Sequence, residues 1–181
     1  MGKPDFSSTP PIEIGHILAM SLNTGCAIEN ISDQERVLLQ KARIAIEDYH
    51  RELLALAGFA HDHAIVVSLG DSVAGTQVRK GYMEVWEQMG RSGPHGAALY
   101  KTFISRCPEY AGAAARRNNT DTSTFDPLAM AFHEFLAPSD TPSVEGGIAG
   151  ALALTYAPIH FRTHFEIANL VLVEAGLKAT P

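Results

Sequence analysis

Apolar residues recur along most of this chain at spacings of three and four, the period of helices packed on one another. Ile12, Ile14, Ile17, Leu18, Met20 and Leu22 crowd a segment from Pro11 to about Ala27 and cover every side of it, which predicts a buried first helix. Ser32 followed by Glu35 is a capping box, and Gly58 marks a far end. Between them Leu38, Ala42, Ala45, Ile46, Tyr49, Leu53 and Leu56 share one stripe, predicting a single second helix. From His63 to Met89 the pattern is mixed. Ile65 to Leu69 fits a short strand or a helix, and Val78, Tyr82, Val85, Trp86 and Met89 have helical spacing, with a break expected near Gly70 or Gly75.

The second half is more punctuated. Gly90 to Gly96 is a loop, and residues 96–106 predict a short helix that stops before Pro108. Arg116 to Thr124 is the most polar stretch and predicts a loop. Thr124 or Asp126 then caps a helix that has Pro127 in its first turn and runs to Leu136. After a loop from Ala137 to Pro142, two helical segments split or kinked at Pro158 carry the chain to about Gly176. The expected architecture is all-α: a disordered lead over residues 1–10, then one domain, 11–181, a bundle of six or seven helices.

Composition narrows the function classes. Hydrophobic residues make up 46% of the 181, enough for a substantial core. A net charge of −6 and two isolated basic pairs, Arg79-Lys80 and Arg116-Arg117, argue against a nucleic-acid partner. Cys26 and Cys107 lack the spacing of a zinc ribbon or redox dithiol and are expected as reduced packing thiols. No secretory h-region opens the sequence. The most apolar run, Gly146 to Ile159, is shorter than the ~20 residues a membrane span needs. These features predict a cytoplasmic protein with no membrane partner. A small-molecule ligand, a protein partner or a second copy remain open.

Candidate chemistry rests on eight histidines. On the last helix His160 and His164 stand one turn apart, His164 inside the apolar sector and His160 at its edge. Two imidazoles so placed can share a divalent ion, and one can ligate haem iron. They can equally be core histidines bonded to carbonyls or acids. Glu13-x-x-His16 and Glu47-x-x-His50 have the spacing of a di-iron half-site, but Glu47 points roughly 130° from the apolar stripe at about 100° per residue. Met130 also stands where a second half-site, before His133, needs a carboxylate.

Two further arrangements point to hydrolysis. His16 on an early helix, the adjacent His61-Asp62 and a later Asp126 or Asp121 resemble the ligand set of HD-type phosphohydrolases. That resemblance covers four residues and implies a divalent metal held by His16, His61, Asp62 and Asp126, whose bound hydroxide attacks a phosphoester. Ile65 to Ser72 resembles the nucleophile block of GDSL-type serine hydrolases, yet sixty-odd residues precede it and no late Asp-x-x-His follows. The expectations are therefore a metal-dependent helical phosphoester hydrolase, a non-catalytic helical interaction or regulatory subunit, and a protein that ligates haem through His160 or His164 or binds di-iron through its Glu-x-x-His motifs.

Overall fold

A computed structural model describes residues 6–119, 126–137 and 141–178. Asp121, Thr124 and the first five residues of the lead lie outside these. The described part is an all-α bundle of seven α-helices without strands: α1 (Pro11–Gly25), α2 (Asp33–Ala42), α3 (Ile46–Leu69), α4 (Val73–Arg91), α5 (Pro94–Asn119), α6 (Pro127–Leu136) and α7 (Ser143–Glu174). A 3₁₀ turn, Ile28–Asn30, joins α1 to α2. Ahead of α1, Phe6 packs on the core and its carbonyl accepts a bond from the Thr9 N–H.

Several boundaries move from where periodicity puts them. The helix expected from Ser32 to Gly58 is two helices. Ser32 and Glu35 do form the capping box, but α2 stops at Arg43, which adopts a left-handed conformation with φ of 56°. In one straight helix residues 35 and 49 would lie roughly 21 Å apart at 1.5 Å per residue. The turn folds Tyr49 back until its hydroxyl donates to Glu35 Oε1 at 2.6 Å. Gly58 sits mid-helix because a Cβ there would lie 2.7 Å from Trp86 Cζ2. The stop comes instead at Gly70, whose φ of 54° suits a residue without Cβ. Ser72 then caps α4 through the Gly75 N–H. Residues 65–69 are helical.

Three more segments are longer or less enclosed than expected. Pro108 lies inside α5 and Pro158 inside α7, so neither ends its helix. Arg116 to Asn119 belongs to α5. Met20 on α1 is exposed, so that helix is buried on one side only, through Ile14, Gly15, Leu18, Ala19 and Leu22. The second proline signal holds: Asp126 caps α6 through the Leu128 N–H at 2.9 Å, with Pro127 in the first turn.

α3 forms the axis of the bundle. It is long and apolar enough to cross a membrane by composition, and most of it is enclosed by the other helices. Trp86 of α4 and Phe103 of α5 stack at 4.0 Å over its Gly58. Its carboxylates pin the register of its neighbours: Asp62 takes both Arg79 Nε and Nη2 (2.7 and 2.9 Å), and Glu52 takes Arg106 in the same bidentate way (2.9 and 2.9 Å). α1 and α4 meet backbone to backbone. A Cβ on Gly15 would lie 2.0 Å from the Val78 carbonyl oxygen, and one on Gly81 would lie 2.0 Å from that of Ile12.

Backbone atoms cannot swing aside as a side chain does. Gly81→Ala should therefore cost about 3 kcal/mol or more in urea unfolding, at the upper end of overpacking effects. Gly147→Ala, on α7 with nothing within 4 Å of the added carbon, should stabilise by about 0.5–1 kcal/mol as ordinary helix propensity dictates. Equal effects at the two sites would refute the close α1–α4 contact.

Candidate functional site

The inward-facing histidines are placed by three helices. His164 of α7 is buried and its Nε2 lies 3.2 Å from the Cys26 sulfur, at the bend that follows α1. His61 of α3 has no exposed surface. Its Nδ1 lies 3.2 Å from the Leu18 carbonyl oxygen, so Nδ1 carries the proton and donates. The two rings sit 5.4 Å apart, and His61 Nε2 and His164 Nδ1 have no hydrogen-bond partner among the described residues. Burial first, and then each ring's neighbouring histidine, push both below the usual range: His61 to about 3 and His164 to about 4. Burial also raises the Cys26 thiol to about 12, so the Cys26–His164 pair is neutral.

His160, one turn earlier, is half-buried and belongs to another network. Its Nε2 lies 2.9 Å from Glu35 Oε1, an oxygen that also accepts from Tyr49. Glu35 Oε2 accepts from the Ser32 N–H at 3.0 Å and from the Ser32 hydroxyl at 2.6 Å. Burial alone would raise this carboxyl. The bonds from His160, Ser32 and Tyr49 outweigh it and hold Glu35 down at about 2. His160 and His164 thus face inward as their periodicity predicts, yet they engage a carboxylate and a thiol on different elements and do not converge on one point.

The residues that resemble an HD-type set are dispersed in the same pairwise manner. His16 meets Glu84 at 3.1 Å on the surface of α1 and α4, and Asp126 caps α6 while pairing with Arg117 at 3.2 Å. His61 and Asp62 are neighbours on one helix, so they point about 100° apart: His61 toward α1, Asp62 toward Arg79 of α4. Among the described residues no group of three or more His, Cys, Asp or Glu is arranged to hold a metal ion.

Haem does not fit His164. The α1 backbone at Gly25 is so close that a Cβ there would lie 2.9 Å from its Cε1, Cys26 takes its Nε2, and His61 covers another side. For the di-iron set, Glu13, Glu47 and Met130 are all exposed. Ser72 is a helix cap on a helix–helix turn, with no strand leading to it.

What the sequence did not single out is a cleft of about 510 Å³ beside the Cys26 bend. Asn23, Ile28 and Glu29 form one wall, His50 and Leu54 of α3 the floor, and Met89, Ser92, His95 and Leu99 the far wall, where α4 hands over to α5. Gly96 offers the cleft only backbone. His50 is half-buried, which lowers its basicity. A bond to the Cys26 backbone opposes that, His95 lowers it further and Glu29 raises it. These residues come from three separated stretches, so no local pattern announces them. The acid that His160 meets is the capping-box Glu35, a role that hides a second one.

The buried imidazoles fix a pH dependence. Both are neutral in the fold, while the unfolded chain binds their protons below about 6.5, so their contribution is complete above that pH and is lost as pH falls toward about 4 for His164 and about 3 for His61. Unfolding free energy measured by urea should drop between pH 7 and 4.5 by on the order of 2 kcal/mol for each ring. His164→Gln should remove its share of that drop. Stability flat over this range would contradict the neutral buried pair.

Compared with protein-family models, with curated proteins and with solved structures, the chain finds no match in any of the three. Its function is therefore argued from this geometry.

Proposed function

We propose that this protein is a non-catalytic helical binding module that takes a small organic ligand in the cleft beside the Cys26 bend. The observation that carries the reading is the distribution of its histidines. His16, His61, His133, His160 and His164 each bond a partner inside the fold, and His63 stacks on Phe59. His50, which bonds the Cys26 backbone, and His95 are the two histidines that line the cleft. An imidazole has two nitrogens, and the Cys26 backbone engages only one of those on His50. Apolar walls with a few convergent polar groups are the usual make-up of a ligand pocket, and the volume is of the usual size. Helices α3, α4 and α5 supply most of its lining.

The hydrolase reading would need His16, His61, Asp62 and Asp126 to leave four different partners and meet. Two of those bonds, the Asp62–Arg79 fork, are charge-assisted and bidentate, which favours the arrangement in place.

A screen of small organic acids, amines and heteroaromatics, followed by the ring ¹H–¹³C NMR signals of the histidines, tests the proposal. Binding compounds should shift His50 and His95 together, leave His133 unmoved, and bind at least about tenfold more weakly to His50→Ala. A library that moves no cleft signal would overturn it. So would phosphodiester turnover with added manganese that disappears in both His16→Ala and Asp126→Ala.

A further inference from the structure

Building on the ligand-binding reading of the cleft beside the Cys26 bend, we infer that its ligand is an amphipathic amine, with an ammonium head at the mouth and an apolar body against the floor. Depth sorts the lining. Leu54 and Leu99 are only 6% and 8% exposed and form the bottom. Asn23, Glu29, Ser92 and His95 are exposed and form the rim. A wholly polar ligand would gain nothing from the leucines, and a wholly apolar one would cover the rim groups without bonding them.

Charge decides between an amine and an acid. Among the described residues Glu29 is the one carboxylate of the lining, no lysine or arginine accompanies it, and it makes no hydrogen bond or ion pair. An ammonium answers that charge. A carboxylate would be repelled by it and would find no fixed cation. His50 argues the same way. Burial, the largest influence on this ring, lowers its basicity and leaves it neutral above pH 7. Its bond to the Cys26 backbone raises the basicity, so the ring donates and a carbonyl accepts. A neutral imidazole that donates from one nitrogen has only a lone pair on the other. That nitrogen can accept from an ammonium N–H and has no proton for a carboxylate. Glu29 and His95 both act on His50 electrostatically, so the three groups lie close together. The Ser92 hydroxyl donates to the Met89 carbonyl at 2.7 Å, which leaves its oxygen as one more acceptor on the rim.

Three compounds of one skeleton and different heads test this: 2-phenylethylamine, 2-phenylethanol and phenylacetate. Each is titrated into the full chain at pH 7.5 while the ring ¹H–¹³C signals of His50 and His95 are followed. The amine should shift both rings and bind about threefold or more tightly than the alcohol, with phenylacetate the weakest. Glu29→Gln should abolish the amine's advantage and leave the alcohol's affinity unchanged. Glu29 is exposed, so the variant should keep the wild-type circular dichroism. Phenylacetate binding as tightly as the amine, or an advantage that survives Glu29→Gln, would overturn the amine assignment and leave the cleft standing as a ligand site. Rings that ignore all three compounds would overturn the assignment too, and the wider screen of acids, amines and heteroaromatics would then decide the ligand-binding reading on its own.

Discussion

The carboxylate of Glu35 holds the two ends of the molecule together. It is almost fully enclosed, yet it receives bonds from Ser32 on its own helix, Tyr49 on α3 and His160 on α7. A buried charge without such donors would cost several kcal/mol. With them it fixes where α2 must turn, how far Tyr49 reaches and which edge of α7 lies against α2. The turn at Arg43 and the seating of α7 thus depend on the same few atoms.

The same logic recurs along α3. An apolar helix packs almost equally well after a slip of one turn. Two bidentate pairs, Asp62 with Arg79 and Glu52 with Arg106, each accept one register only. His61 on the Leu18 carbonyl and His164 on the Cys26 thiol add α1 to this frame. Polar residues that look like the start of a metal centre thus act as pins between helices. The cleft lies at their margin: Cys26 offers its sulfur to the core histidine and its backbone to His50.

Local chemistry was legible in the sequence wherever the structure uses it locally. The Ser32–Glu35 capping box was readable outright, and the α6 start and the break after α3 were readable to within a choice of Thr124 or Asp126 and of Gly70 or Gly75, because each depends on residues within about one turn. The stop at Arg43 carries no Gly or Pro signal, since it is imposed by Tyr49 reaching back to Glu35. Gly58 misled for the converse reason: it answers to Trp86 on another helix, not to its own helix end. Pro108 and Pro158 stay inside helices that their neighbours hold in place. Periodicity put His164 inside correctly, but it cannot say what a side chain meets there. The two histidines of the cleft are far apart in sequence, and only tertiary packing brings them together.

The inward histidines are neutral structural pins, and the responsive pair is at the cleft. Long-range ¹H–¹⁵N NMR of the histidine rings, recorded from pH 7 to 5 with and without stoichiometric zinc, can distinguish these roles. His61 and His164 should keep neutral tautomer shifts throughout and ignore the metal, with the His61 proton on Nδ1. Titration of either ring near pH 6.5, or a joint shift of His61 and His164 on adding zinc, would contradict this.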